Sequence, residues 1–220
     1  MAGSNHILKL IAEGEHQTLD FKYAISDSRK IARTLIAFAN SNGGRLLIGV
    51  KDNGKIKGIR SDEEIHMIDT AANLFCRPVP EYKTGVWDVE GKNVLEVIVP
   101  EQEKRPFRAP DDEGRWRAYV RVGDNTFIAN RVLIRTWRRK KNPKGALVTY
   151  TAPEKLLLHY LNEHPEISQQ AFRKMAGIPG YIAENILVKL LSWQVISIRF
   201  TDRGIRYVMN EKFTDEANPF

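Results

Sequence analysis

Apolar residues recur at helical spacing in residues 28–40, where Ile31, Leu35, Phe38 and Ala39 share one face. The run ends in Asn40-Ser41-Asn42-Gly43-Gly44, residue types that tolerate the left-handed backbone closing a helix. Leu46, Leu47, Ile48 and Val50 follow as a buried strand. Asp52-Asn53-Gly54 predicts a hairpin turn, with a returning strand over 55–59. Upstream, 7–14 reads as a short helix and 18–24 as a strand, in which Leu19, Phe21 and Tyr23 alternate with Asp20 and Lys22. A second helix is predicted over 62–75: Ser61 suits its N-cap, Glu64 completes a capping box, and Pro78 and Pro80 stop it. Strands over 82–88 and 93–99 meet at Glu90-Gly91, and a loop over 100–110 holds three prolines. The next strand, 115–122, puts Trp116, Ala118, Val120 and Val122 on one face and Arg115, Arg117, Tyr119 and Arg121 on the other. A basic helix over 130–141 leaves through Asn142-Pro143-Lys144-Gly145. Strands and helices interleave without a βαβα rhythm, which predicts an α+β domain with a mixed or antiparallel sheet.

The remaining residues change character. Helices are predicted over 153–163 (apolar at Leu156, Leu157, Tyr160 and Leu161), 168–176 (capped by Ser168) and 181–193. Gly177-Ile178-Pro179-Gly180 turns between the last two. Strands over 195–200 and 205–209 flank the hairpin Thr201-Asp202-Arg203-Gly204. Helix, helix, turn, helix, hairpin is the order of a winged helix-turn-helix. The expected layout is therefore a domain over 1–141, a linker over 142–152 and a winged-helix domain over 153–220.

Charge sharpens this picture. The net charge is +7, and its surplus lies wholly in residues 131–145. Arg131, Arg135, Arg138, Arg139, Lys140, Lys141 and Lys144 stand there without an acid, whereas acids and bases cancel on either side. Such a concentrated field suits a polyanion, although a solvated basic spacer has the same composition. The one cysteine, Cys76, excludes an internal disulfide and fits a reducing cytoplasm. No signal peptide and no membrane-spanning run are expected. Dispersed histidines give no zinc spacing, and no Walker loop occurs.

Three ordered motifs now identify a resemblance. The stretch AFANSNGGRLLIGVKDNGKIKGI, the opening EHQTLDFK (Glu15 to Lys22) and the closing AYVRVG (Ala118 to Gly123) resemble the Schlafen/AlbA-like DNA-binding domain family over about residues 8–135. The resemblance implies a mixed-sheet domain found in bacterial transcriptional regulators. Its departure is Asp20, where the family shows Glu.

Three functions are open at this point. In a DNA-binding regulator, Arg115, Arg117, Arg131 and Arg135 would line one groove, with Arg138, Arg139, Lys140 and Lys141 on phosphate. On the third C-terminal helix, Asn185 would read adenine and Lys189 a phosphate or guanine. Arg199, Arg203 and Arg206 surround the wing. Arg121 is expected to serve structure, clamping a carboxylate or loop carbonyls. Winged helices commonly pair, so a homodimer on DNA is the matching assembly; RNA is the alternative polyanion. A cofactor is not required. The second function comes from the resemblance to Schlafen nucleases: Glu15, Asp20 and Asp52 would hold Mg²⁺ or Mn²⁺, with Lys22 on the scissile phosphate. The third is a protein-interaction module.

Overall fold

The computed structural model describes residues 2–59, 61–139 and 150–211. The chain forms two compact units, Met1–Ala129 and Asn130–Phe220. No helix among the described residues is long and apolar enough to cross a membrane.

The first unit begins α1 (Ala2–Glu13), β1 (Leu19–Lys22), α2 (Ser28–Asn40), β2 (Gly44–Ile48), α3 (Glu63–Phe75), β3 (Lys83–Val89) and β4 (Lys92–Val99). The strands make one mixed sheet in the order β1-β2-β4-β3, with β1 and β2 parallel and the other pairs antiparallel. Alternation sends Leu46, Ile48, Leu95 and Val97 to the side of α2 and α3. Leu19, Phe21, Leu47 and Val94 go to the opposite side, with Ile7 of α1. The α2 stop works as its residues require: Ser41 N and Gly43 N both donate to Phe38 O, and Gly43 has φ +72°. A Cβ on Gly43 would lie 2.6 Å from Glu101 N, and one on Gly44 would lie 2.3 Å from the Phe38 ring. The glycine pair therefore lets β2 start directly against its own helix.

Three details differ from the sequence reading. Helix α2 is buried almost all round from Ile31 to Asn40, because α3 and a later strand cover the sides that the sheet leaves open. The return over 55–59 is a single bridge, Val50 to Ile56. Gly49 O takes both the Lys57 and Gly58 N–H groups, and Ile59 N turns to Asn93 O. Finally, 115–122 is two strands with different partners. β5 (Ala109–Pro110) pairs with β6 (Trp116–Arg117), and β7 (Tyr119–Val122) pairs with β8 (Asn125–Ile128). Burial covers both sides of β7: Tyr119, Val120 and Arg121 are all buried.

The second unit contains α4 (Arg131–Arg138), α5 (Ala152–Glu163), α6 (Gln169–Met175), α7 (Gly180–Ser192), β9 (Ile196–Thr201) and β10 (Gly204–Met209). Leu157, Leu158, Leu161, Phe172, Leu187, Leu190 and Tyr207 build its core. β9 and β10 form the expected hairpin, and Ile167 bridges to Tyr207 through two backbone hydrogen bonds of 2.8 and 2.9 Å. A Thr151/Glu154 capping box starts α5, and Ser168 caps α6. The division falls before Asn130 rather than after Lys141. Asn130 caps α4 through Leu133 N (2.9 Å) and donates to the Tyr207 hydroxyl (3.1 Å), while Val132 is buried in this core. The basic helix thus belongs to the second unit. Its expected extension over 140–141, and most of the 142–152 linker, lie outside the described residues.

Candidate nucleic-acid interface

Helix α4 carries its charge on one side and its anchor on the other. Val132 faces the core, and Arg131 and Arg135, one turn apart, share a partner on α7. That partner is the buried Glu184, whose Oε1 lies 3.1 Å from Arg131 Nε and 2.7 Å from Arg135 Nη1. Arg135 Nη2 also donates to Asn185 Oδ1 at 2.7 Å. A buried carboxylate requires such cationic hydrogen-bonding partners, and Arg supplies them in fork geometry. Two of the arginines expected to line a groove therefore share Glu184, and Arg135 also holds the predicted adenine reader. Arg138 and Arg139, at the end of α4, are exposed and carry no ion pair among the described residues. Lys140 and Lys141 lie outside the described residues.

Lys189 is also taken up. Its Nζ lies 2.9 Å from Oε1 of Glu154, a carboxylate buried at the start of α5, and 4.5 Å from the Trp193 ring centroid. The side chain closes the helix bundle rather than facing a groove. On the hairpin, Arg199 and Arg206 straddle Glu166 at 3.5 and 3.4 Å. Arg203, at the tip, is exposed without an ion pair among the described residues. The sequence reading missed Glu184, Glu154 and Glu166 as the acids that collect these cations. Only Glu154 had a local signal, its place in the capping box.

In the first unit, Arg115 and Arg117 converge on Asp111, with Nε to Oδ2 distances of 3.0 and 3.3 Å, and Arg115 also meets Glu113 at 2.7 Å. Partial desolvation opposes ionisation of Asp111, but the Arg115 N–H and both guanidinium groups outweigh it and lower its pKa to about 2. These arginines brace the 111–117 turn. Arg131 and Arg135, expected to line a groove with them, belong to the other unit, where both meet Glu184. Arg121 is structural, as expected. Its Nη1 lies 3.1 Å from Asp20 Oδ1, and it donates to the His16 and Leu19 carbonyls at 3.2 and 3.1 Å. The second Asp20 oxygen lies 2.8 Å from Lys22 Nζ.

This settles the fit of a divalent metal to Glu15, Asp20 and Asp52. Asp20 is saturated by two cations, Glu15 accepts the Phe21 N–H at 2.8 Å, and Asp52 stands exposed in its turn. Burial, and then the neighbouring Asp20 carboxyl, push the Glu15 pKa up against the Phe21 hydrogen bond and Lys22. Among the described residues no group of three His, Cys, Asp or Glu is placed to hold a metal ion. The expected ligand trio does not assemble, and the residues present do not fit the ion.

Comparison with known proteins places the chain. Two solved structures are similar in part. One is the DIP2311 protein of Corynebacterium diphtheriae, with 21% identity and TM-score 0.45, over 74% of this chain and 33% of that one. The other is the N-terminal domain of a RecG-related protein from Nitrosomonas europaea, with 21% identity and TM-score 0.38, over 56% of this chain and 89% of that one. The chain spans about a third of the length of DIP2311. No curated protein matches it. Residues 15–130 match the family described as Schlafen, AlbA_2. That match takes in more than half of the sequence and includes all three motifs, from Glu15 to Gly123, so the chain belongs to the Schlafen AlbA_2 family.

Proposed function

We propose that this chain is a DNA-binding protein of the transcriptional-regulator kind, whose C-terminal unit is a winged helix that docks on phosphate rather than reading bases through α7. One observation carries the reading: Glu184 takes up only the first two cations of the basic run. Arg138 and Arg139 remain exposed at the end of α4, where the run continues into Lys140 and Lys141. Arg203 at the hairpin tip adds a further exposed cation, with no ion pair among the described residues. With Asn185 held by Arg135 and Lys189 by Glu154, α7 offers no free polar reader among the residues expected to contact bases. Contacts to phosphate position a protein without carrying sequence information. The unit is therefore expected to bind duplexes of unrelated sequence with similar affinity.

The test is fluorescence anisotropy of a labelled random-sequence duplex titrated with the full chain, from about 50 to about 200 mM salt. Each phosphate contact contributes about −0.9 to the slope of log K against log salt, so R138A/R139A should flatten it by about 2. An unchanged slope removes α4 from the interface and the proposal with it.

A further inference from the structure

The lysines of residues 51–57 differ from most of the arginines just described. Arg115, Arg117, Arg121, Arg131, Arg135, Arg199 and Arg206 each meet an acid. Lys51, Lys55 and Lys57 are exposed and carry no ion pair among the described residues, and Asp52 is the acid between them.

Their backbone is already fixed. Gly49 adopts φ +95°, and a Cβ there would lie 2.8 Å from the Gly58 carbonyl carbon, so the two ends of the loop cross at a contact that only glycine allows. Gly49 N donates to Lys22 O at 2.8 Å, tying the loop to β1. Gly49 O takes the Lys57 and Gly58 N–H groups at 2.7 and 2.9 Å, and Ile59 N reaches Asn93 O at 2.7 Å. A loop pinned in this way loses little backbone freedom when an anion arrives.

Tyr23 stands beside it, where the chain leaves β1. Its ring is 39% exposed, and Lys51 Nζ lies 5.7 Å from the ring centroid. Tyr23, Ala24, Lys57, Gly58, Ile59 and Glu64 line a cavity of about 100 Å³. The acid among them, Glu64, accepts the Ser61 N–H at 3.2 Å at the start of α3. Pockets that enclose a whole small ligand are about 300–1,000 Å³, so this one admits a single group of a larger molecule that lies across the surface.

We infer that the C-terminal ends of the parallel strands β1 and β2 form a site for single-stranded nucleic acid, with a base on Tyr23 and adjoining phosphates at Lys51 and Lys57. An exposed aromatic beside a track of unpaired cations is the chemistry that binds such strands, because every base has a face to stack. A duplex keeps its bases in the stack and presents none to Tyr23. The site uses none of the residues of the surface on α4 and stands or falls without it.

The test is anisotropy of fluorescein-labelled oligothymidylate, with oligouridylate in parallel, against the full chain. Y23L, which keeps apolar bulk without the ring, should weaken single-strand binding about tenfold, while Y23F retains it. K51A/K57A should weaken it and flatten the salt slope by about 1.4, at about 0.7 per phosphate. Both variants should bind duplex within about twofold of the parent, since duplex binding is assigned to Arg138 and Arg139 of the other unit. R138A/R139A should give the reverse pattern. The tighter-bound polymer identifies the source of the strand. If either Y23L or K51A/K57A keeps single-strand affinity within about twofold of the parent, the inference is overturned. That result leaves the duplex arm, and the reading of α4, untouched.

Discussion

Substitution of Asp20 and Arg121 probes the contact that ties the opening motif to the closing one. The two side chains are 6% and 3% exposed, and Oδ1 lies 3.1 Å from Nη1. At an effective dielectric of about 20, that separation corresponds to a gross attraction of about 5 kcal/mol, much of it offset by desolvation of both ions. What each variant strands sets the net effect. R121Q leaves the Asp20 carboxylate buried next to Glu15, with Lys22 at 2.8 Å as its remaining cation. D20N strands a guanidinium that still donates to the His16 and Leu19 carbonyls. Breaking a buried pair costs about 3–5 kcal/mol, so D20N should fall near the lower end and R121Q near the upper. For a unit of this size the melting temperature should drop by about 10–20 °C. Scanning calorimetry of the parent, both single variants and D20N/R121Q supplies a double-mutant cycle, with an expected coupling of about 2–3 kcal/mol. A coupling under about 0.5 kcal/mol would show that the pair is a bystander and refute the reasoning. The same numbers bear on any nuclease assay: lost activity in D20N has to be separated from lost fold.

Two further outcomes follow from the other ion clusters. E184Q removes the charge that holds Arg131 and Arg135, both of which can turn to solvent. The loss should be about 1–2 kcal/mol and appear as roughly tenfold faster amide exchange over residues 131–138; unchanged exchange would mean that Val132 alone anchors α4. Asp111 should titrate by carboxyl NMR with a midpoint at about 2, below its ordinary 3.8. Because its folded pKa is depressed, its stabilising contribution is complete above the ordinary value and fades as pH falls through about 2. A midpoint near 3.8 would deny the Arg115 and Arg117 contacts.

Much of the first unit was legible because its signals are local. The α2 stop, the Ser61-x-x-Glu64 cap and the Glu90-Gly91 turn, where both residues adopt positive φ, each specify their own backbone within a few residues. The C-terminal order of helices and hairpin was readable for the same reason. Strand β8 was missed because Asn125-Thr126 is polar and three of the strand's four residues are exposed. The long-range partners of the ion pairs were not legible. Arg121 reaches back 102 residues to Leu19 O, and Arg135 forward 49 to Glu184. No periodicity encodes such pairings, so a cation counted as free in the sequence can be saturated in the fold. The allegiance of α4 was hidden likewise, since it rests on Asn130 meeting Tyr207 across 77 residues.

Net charge is a sum along the chain, whereas anion binding depends on the charge left after internal pairing, and the two diverge here. Guanidinium forks satisfy a buried carboxylate with several donors at once, which is why Glu184, Asp20 and Asp111 are met by arginines. Lys51, Lys55 and Lys57 meet no acid among the described residues and stay at the surface. The first unit, neutral by count, thus retains a cationic patch, while the basic run loses Arg131 and Arg135 to Glu184 before any partner arrives. The docking surface proposed for this chain is set by which cations its own acids do not reach, and a composition profile cannot rank the two proposed sites.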